Sequence, residues 1–292
     1  MTHSIQPIIL ITGATGSVGS ALAEQLAQKN IPFRALVRNL DKAGNLKHLN
    51  GAELVIGDFN DQQSIVNALK GIEKVFLLSN SSEDAERLQC NFVDAIAKGE
   101  VKHIVKLSQF AANINSPVRF LRYHAAVEQK IKDTGLQYTF LRPNLFMQGL
   151  LGFAGLIKYQ QKFFAIAGDA KISLVDTRDI AAVALNALLS RDNESKIYNI
   201  TGPEAISHKE IAEILSTVLG KKIEYINVSD AELLTALSQV GFPAWQAAGL
   251  IEDYAHYALG EAAVLSNDVM EVTGTVPRTF ADFVKEYRAA FE

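Results

Sequence analysis

The chain has 292 residues, 48% of them hydrophobic and 21% charged. That mix suits a globular fold of one large or two modest domains and excludes fibrous, disordered and disulfide-built classes. A net charge of −4 with both signs mixed along the chain, and no Lys/Arg block, argues against a nucleic-acid partner.

In chain order, Met1–Pro7 offers no basic n-region or apolar stretch, so no export signal is expected. Ile8–Thr12 reads as a strand, and the spacing of Val18, Leu22 and Leu26 predicts a helix over 17–29. Strands follow at Phe33–Val37, Glu53–Ile56, Lys74–Leu78, His103–Leu107 and Tyr138–Leu141, with helices over 61–69, 83–98 and 118–134. Near-continuous apolar strands separated by helices predict an α/β fold, a Rossmann-type doubly wound parallel sheet with helices on both faces.

After Pro143 the rhythm changes. A helix over 177–189 with Thr177 as N-cap, a strand at Ile197–Thr201, and a helix over 207–219 capped by Ser207 and Glu210 are expected, then a strand at Lys222–Ile226. The remainder reads as mostly helical. The expected division is a dinucleotide-binding domain over 1–148, to which about 170–203 returns, and a smaller, mostly helical C-terminal substrate lobe over 149–292.

No apolar run approaches the ~18–20 residues needed to span a membrane. The single cysteine, Cys90, lies in an apolar helical pattern with Phe92, Val93 and Ile96 and reads as a buried thiol in a reducing cytoplasm. His3, His48, His103, His124, His208 and His256 are scattered, and no pair has metal-ligand spacing.

The strongest chemical signal is Ile11-Thr12-Gly13-Ala14-Thr15-Gly16-Ser17-Val18-Gly19, a glycine-rich turn that leaves a strand and opens a helix. In that context Gly13 permits a tight turn, Gly16 lets backbone approach a pyrophosphate, and Gly19 lets the helix pack closely on the strand. Backbone N–H groups at the helix start then face phosphate charge. Gly13, Thr15, Gly16, Ser17 and Val18 are thus candidate cofactor contacts. A Walker A loop is excluded, since no lysine sits between Gly13 and Gln28, and a nucleophile elbow fails because Thr15 stands two before Ser17.

Arg38 is expected to select the nucleotide, the alternative being a solvated surface arginine. NAD sites carry an acid about twenty residues on that binds the ribose 2′-OH. Here the second strand ends Leu36-Val37-Arg38-Asn39, and arginine favours a 2′-phosphate by roughly 1.5–3 kcal/mol. NADP(H) is the expected cofactor.

The glycine loop, Val37-Arg38-Asn39, Gly57-Asp58-Phe59, Tyr123-His124-Ala125-Ala126-Val127-Glu128 and Phe140 to Met147 together resemble the NmrA-like branch of the atypical short-chain dehydrogenase/reductases. That branch includes bacterial NADPH quinone oxidoreductases and triphenylmethane reductases. The resemblance implies that Asp58 and Phe59 flank the adenine, that Ser79 and Asn80 lie along the cofactor, and that Ser108 closes the fifth strand. It also implies that Pro143, Asn144, Leu145 and Phe146 pass near the nicotinamide.

One departure from the wider superfamily constrains the chemistry. Related dehydrogenases carry Tyr-x-x-x-Lys followed four residues later by an acid. Aligning that acid on Glu128 puts His124 at the lysine and Phe120 at the tyrosine, while Tyr123 points roughly 100° away from His124 around the helix. Reducing a ketone leaves an alkoxide that needs an acid at hand, whereas reducing a quinone leaves a phenolate-like anion of conjugate pKa about 10. The gap favours quinone-like or cationic aromatic acceptors. His124 is the candidate proton donor; the bland alternative makes it a helix partner of Glu128 or a ribose-orienting group. Met147, Phe153, Trp245 and Tyr254 are candidate substrate contacts within the aromatic-rich second part. The alternative to an NADPH-dependent quinone reductase is a non-catalytic NmrA-like redox sensor acting through a protein partner.

Overall fold

The computed structural model describes residues 8–190, 192 and 195–292. Its central sheet has seven strands in the order β3-β2-β1-β4-β5-β6-β9. These are β1 (Ile9–Ile11), β2 (Phe33–Val37), β3 (Ala52–Ile56), β4 (Lys74–Leu77), β5 (His103–Leu107), β6 (Gln137–Pro143) and β9 (Lys196–Ile200). All pairings from β3 through β6 are parallel. Parallel strands need crossovers, and α1 (Ser17–Gln28), α2 (Gln62–Ala68), α3 (Ala85–Ile96) and α4 (Arg119–Asp133) supply them. β1, β2, β5 and most of β4 are fully buried, which is why they read as unbroken apolar runs.

Strand order reverses at β1, whose neighbours are β2 on one side and β4 on the other. Doubly wound sheets bind ligands outside the strand C-termini at such a switch point. The glycine loop leaves β1 there.

The chain divides into two compact units. The first comprises residues through Gln109, Tyr123–Arg142 and Ile180–Tyr198, and the second Phe110–Arg122, Pro143–Asp179 and Asn199–Glu292. The core of the first is built on Leu10, Leu77, Phe92, Ile104, Val127 and Phe140. Cys90 packs against that core but is only half-buried, so the thiol is less sheltered than its helical pattern suggests. Burial and the Glu86 charge raise its pKa.

The second unit contains α5 (Ala154–Gln160), β7 (Lys162–Ala165), β8 (Lys171–Ile172), β10 (Ile206–Ser207), α7 (His208–Leu219), β11 (Glu224–Asn227) and α8 (Asp230–Gln239). The C-terminal helices α9 (Ala244–Tyr257), α10 (Asp268–Thr273), α11 (Phe280–Glu286) and α12 (Arg288–Phe291) complete it. β7 and β11 pair in parallel, while β8 and β10 pair antiparallel. The capping box expected at Ser207 and Glu210 is present. The expected cap at Thr177 is corrected: α6 (Thr177–Leu189) already includes Thr177, and the Asp176 carboxylate accepts from the Arg178 backbone N–H at 2.9 Å. An aspartate one residue earlier is the better acceptor for the first turn.

Candidate cofactor and proton-transfer site

The glycine loop is anchored before it turns. The Thr12 hydroxyl donates to the Leu78 carbonyl at 2.8 Å, and the Leu78 N–H donates back to it at 2.8 Å, tying the ends of β1 and β4. Gly13 follows at φ +61°, and a Cβ there would fall 2.7 Å from Leu78 Cγ and 2.9 Å from its carbonyl oxygen. Only glycine suits both the dihedral and the space. The Gly16 N–H closes the turn onto the Gly13 carbonyl at 3.0 Å. A Cβ on Gly19 would collide with the Gly13 carbonyl and Ala14 Cα, so Gly19 packs the helix onto the loop itself and not onto the strand.

Gly16 is the N-cap of α1 and brings no side chain to it. The N–H groups of the first turn therefore face outward as a donor set for an anion. Thr15 and Ser17 are exposed beside it, while Val18 is buried beneath.

Arg38 and Asp58 leave neighbouring strands side by side. Val37 is in register with Ile56, and the Gly57 N–H donates to the Val37 carbonyl at 3.1 Å. The Asp58 carboxylate accepts from the Asn60 backbone at 2.8 Å and side chain at 3.0 Å. The Asn60 backbone N–H chiefly holds the Asp58 carboxyl below its ordinary range against burial, helped by the Asn60 side chain and the Arg38 charge. Phe59 stacks on Phe92 with centroids 4.5 Å apart, which fixes its ring against the core.

Beyond β4, Ser79 accepts from Gln89 Nε2 at 2.9 Å, and the exposed Asn80 follows. Ser81 shares a 2.7 Å hydrogen bond with the Tyr123 hydroxyl. Ser108, just past β5, donates to Glu128 Oε1 at 2.5 Å, and Arg142 donates to both oxygens of the same carboxylate at 2.9 and 2.5 Å. Glu128 is thus held by Ser108 and Arg142, and the helix pairing considered for His124 does not form. The buried Ser108 and the partly buried Arg142 already occupy the acid.

His124 has a different partner. Lys106 Nζ lies 2.7 Å from His124 Nδ1 and donates to the Leu107 carbonyl at 2.9 Å. Lys106 is 0% exposed. Burial brings its amine down to about 7, with the Glu128 charge opposing and the Arg142 charge adding. Burial also pushes His124 well below its usual value, and the Lys106 and Arg142 charges push the same way. The imidazole is neutral at neutral pH. Sequence reasoning missed Lys106; the available signal was one lysine inside the otherwise buried strand His103-Ile104-Val105-Lys106-Leu107.

The remaining candidates belong to the second unit. The Asn144 amide donates to Ser173 Oγ at 2.9 Å and to the Ala262 carbonyl at 2.8 Å, and its oxygen accepts from the Leu145 N–H at 2.9 Å. All its polar atoms hold backbone and side chains of this unit. Phe146 bridges to Val175, Pro143 ends β6, and Leu145 packs against this unit's core. Met147 and Tyr254 belong to that core at 1% and 9% exposure, and Phe153 packs on it. Trp245 lies 5.3 Å from the Phe120 ring, with the Arg119 guanidinium 5.4 Å over its face.

Among the described residues, no cluster of His, Cys, Asp and Glu is placed to hold a metal ion. None of the described helices is long and apolar enough to cross a membrane.

The NmrA-like family profile matches residues 6–284. The chain belongs to the NmrA-like family. It is 34% identical over 284 residues to an NAD(P)H azoreductase of Xenophilus azovorans, covering 97% of this chain and 99% of the relative. The NADPH complex of an Escherichia coli quinone oxidoreductase superposes with a TM-score of 0.85 at 29% identity, covering 96% and 99%. A Citrobacter sp. triphenylmethane reductase complexed with NADP(H) gives 0.83 at 30%, covering 95% and 99%. These NmrA-like relatives are similar to the chain along nearly its whole length, and they share its fold.

The residues present fit a dinucleotide. The Gly13 cradle admits no side chain, the N-terminus of α1 brings no cap, and Arg38 stands at the end of β2.

Proposed function

We propose that this protein is an NADPH-dependent reductase that delivers hydride to a quinone or a related aromatic acceptor. The observation that carries the reading is at Phe120, the tyrosine position of related dehydrogenases. It bears no hydroxyl, and its ring is packed against Gly249. A site without that phenol suits acceptors whose reduced anion is weakly basic, where positioning contributes more than proton supply.

Bound NADPH supplies the hydride. Gly13, Thr15, Gly16, Ser17 and Val18 receive the pyrophosphate, and Arg38 binds the 2′-phosphate. Asp58 and Phe59 border the adenine, while Ser79, Asn80 and Ser108 lie along the cofactor, with Pro143, Asn144, Leu145 and Phe146 toward its nicotinamide end. The named reductases among the relatives support the reading as a reductase. The lone half-buried Cys90 suits a reducing cytoplasm, and the mixed charge argues against nucleic acid as partner. Steady-state NADPH oxidation on a panel of quinones and azo dyes tests the reading.

A further inference from the structure

We propose that Lys106 is a positioning residue that fixes His124 with its proton on Nε2 and lends a proton to Nδ1 when Nε2 gives its own away. The proposal rests on the reductase reading for its chemistry and on the 2.7 Å Lys106–His124 contact for its geometry.

Lys106 projects from β5 on the same face as Ser108, two residues on. Its amine ends between two acceptors, the Leu107 carbonyl and His124 Nδ1. A lysine offers only donors when charged, so Nδ1 must accept and the ring proton must sit on Nε2. The neutral amine still has two N–H bonds and meets both acceptors. The charged form of Lys106 therefore selects the Nε2 tautomer, while the neutral amine, whose lone pair can accept, permits either. Facing the amine are His124 and Glu128 from α4, Arg142 from β6 and Cys90 from α3. Glu128 is already bound by Arg142 and Ser108 and does not compete for the His124 ring.

The relay balances without placing an imidazolium or imidazolate in the core. When hydride adds to one nitrogen of an azo acceptor, the N=N π bond breaks and the electron pair rests on the other nitrogen. His124 Nε2 gives its proton to that anion as Nδ1 takes one from the Lys106 ammonium, which leaves Lys106 a neutral amine. The histidine is then neutral with its proton on Nδ1, and the site resets when Nε2 takes a proton from water and Nδ1 returns its own to the Lys106 amine. A quinone leaves a phenolate of conjugate pKa about 10 that needs this help less. An azo acceptor leaves a far more basic nitrogen anion and needs it more.

The test uses full-length protein labelled with 15N-histidine, with His124 assigned by His124→Gln. The wild type should show a protonated Nε2 and an unprotonated Nδ1 at about pH 6, where Lys106 is charged, with NADP+ bound or absent. Lys106→Met, matched in length and without a donor, should lose that bias and give mixed tautomers. Its kcat with an azo dye should fall more than about tenfold, toward the lower range of general-acid contributions, with KM for NADPH unchanged and far less loss on a quinone. The wild-type azo rate should decline as pH rises through about 7, where Lys106 loses its proton, and the variant should lack that limb. A wild-type proton on Nδ1, or an unchanged tautomer and pH profile in Lys106→Met, would overturn the proposal. If the variant does not fold, the wild-type spectrum still decides the pairing. If no acceptor is reduced at all, the reductase reading fails while the tautomer result stands separately.

Discussion

The Phe120 ring lies against Gly249 so closely that a Cβ on Gly249 would overlap Phe120 Cζ, Cε1 and Cε2. Cζ is the carbon that carries the hydroxyl in tyrosine. Phe120→Tyr would therefore aim its new oxygen at helix α9, not at a reacting carbonyl. The variant should lose about 1–3 kcal/mol of stability through overpacking and gain no ketone reductase activity. Chemical denaturation together with a ketone panel checks both; new ketone turnover would show that the hydroxyl reaches a substrate.

Arg38 is exposed and neighbours Asp58, whose carboxyl it helps keep ionised. Arg38→Ala should weaken NADPH by about 10- to 150-fold, the range of one charge-assisted hydrogen bond. NADH affinity should barely change. Titration calorimetry with both cofactors reads the difference, and an equal loss for each would take the 2′-phosphate away from Arg38.

Gly13→Val puts a β-branched residue at φ +61° and drives its Cβ into Leu78. The strain is on the order of 1–3 kcal/mol, and the loop must move to relieve it. NADPH binding should be lost while the circular dichroism of the fold persists. Retained affinity would mean that the loop does not cradle the phosphates.

His124→Ala should lower kcat/KM on a quinone by less than about 10², short of the 10²–10⁴ of a full general acid. A titration near pH 6.5 in the wild type that vanishes in the variant, with a loss near 10⁴, would make His124 a cationic donor. Its burial beside Lys106 argues the other way.

The lowered amine of Lys106 links stability to pH with a definite sign. Between about 7 and 10.5 the unfolded chain holds a proton that the fold releases, so wild-type stability rises with pH across that window, by at most about 1.4 kcal/mol per unit. Below pH 7 the cost is constant. Lys106→Met has no such slope. Urea melts of both proteins from pH 7 to 9.5 should diverge in favour of the wild type as pH rises, and parallel curves would show that Lys106 stays charged in the fold.

The sheet and the phosphate loop were legible because both are written locally. Buried parallel strands must be apolar along their length, and the turn after β1 needs glycine where φ is positive. β7 was harder to read because Lys162–Ala165 pairs with Glu224–Asn227, about sixty residues on. The site was legible only where a motif carries it. Glu128 stands at the right helical spacing to meet His124, yet Ser108 and Arg142 take it from a strand end and a neighbouring strand. Lys106 reaches His124 across the gap between β5 and α4, a pairing that no spacing within either element encodes.

The most direct test of the account is NADPH oxidation by the purified protein on a panel of para-quinones and azo dyes, with NADH run in parallel. Catalytic turnover of at least one aromatic acceptor, with NADPH clearly preferred, is the predicted result. Tight NADPH binding with no oxidation by any acceptor would contradict it and leave a dinucleotide-binding sensor in place of a reductase.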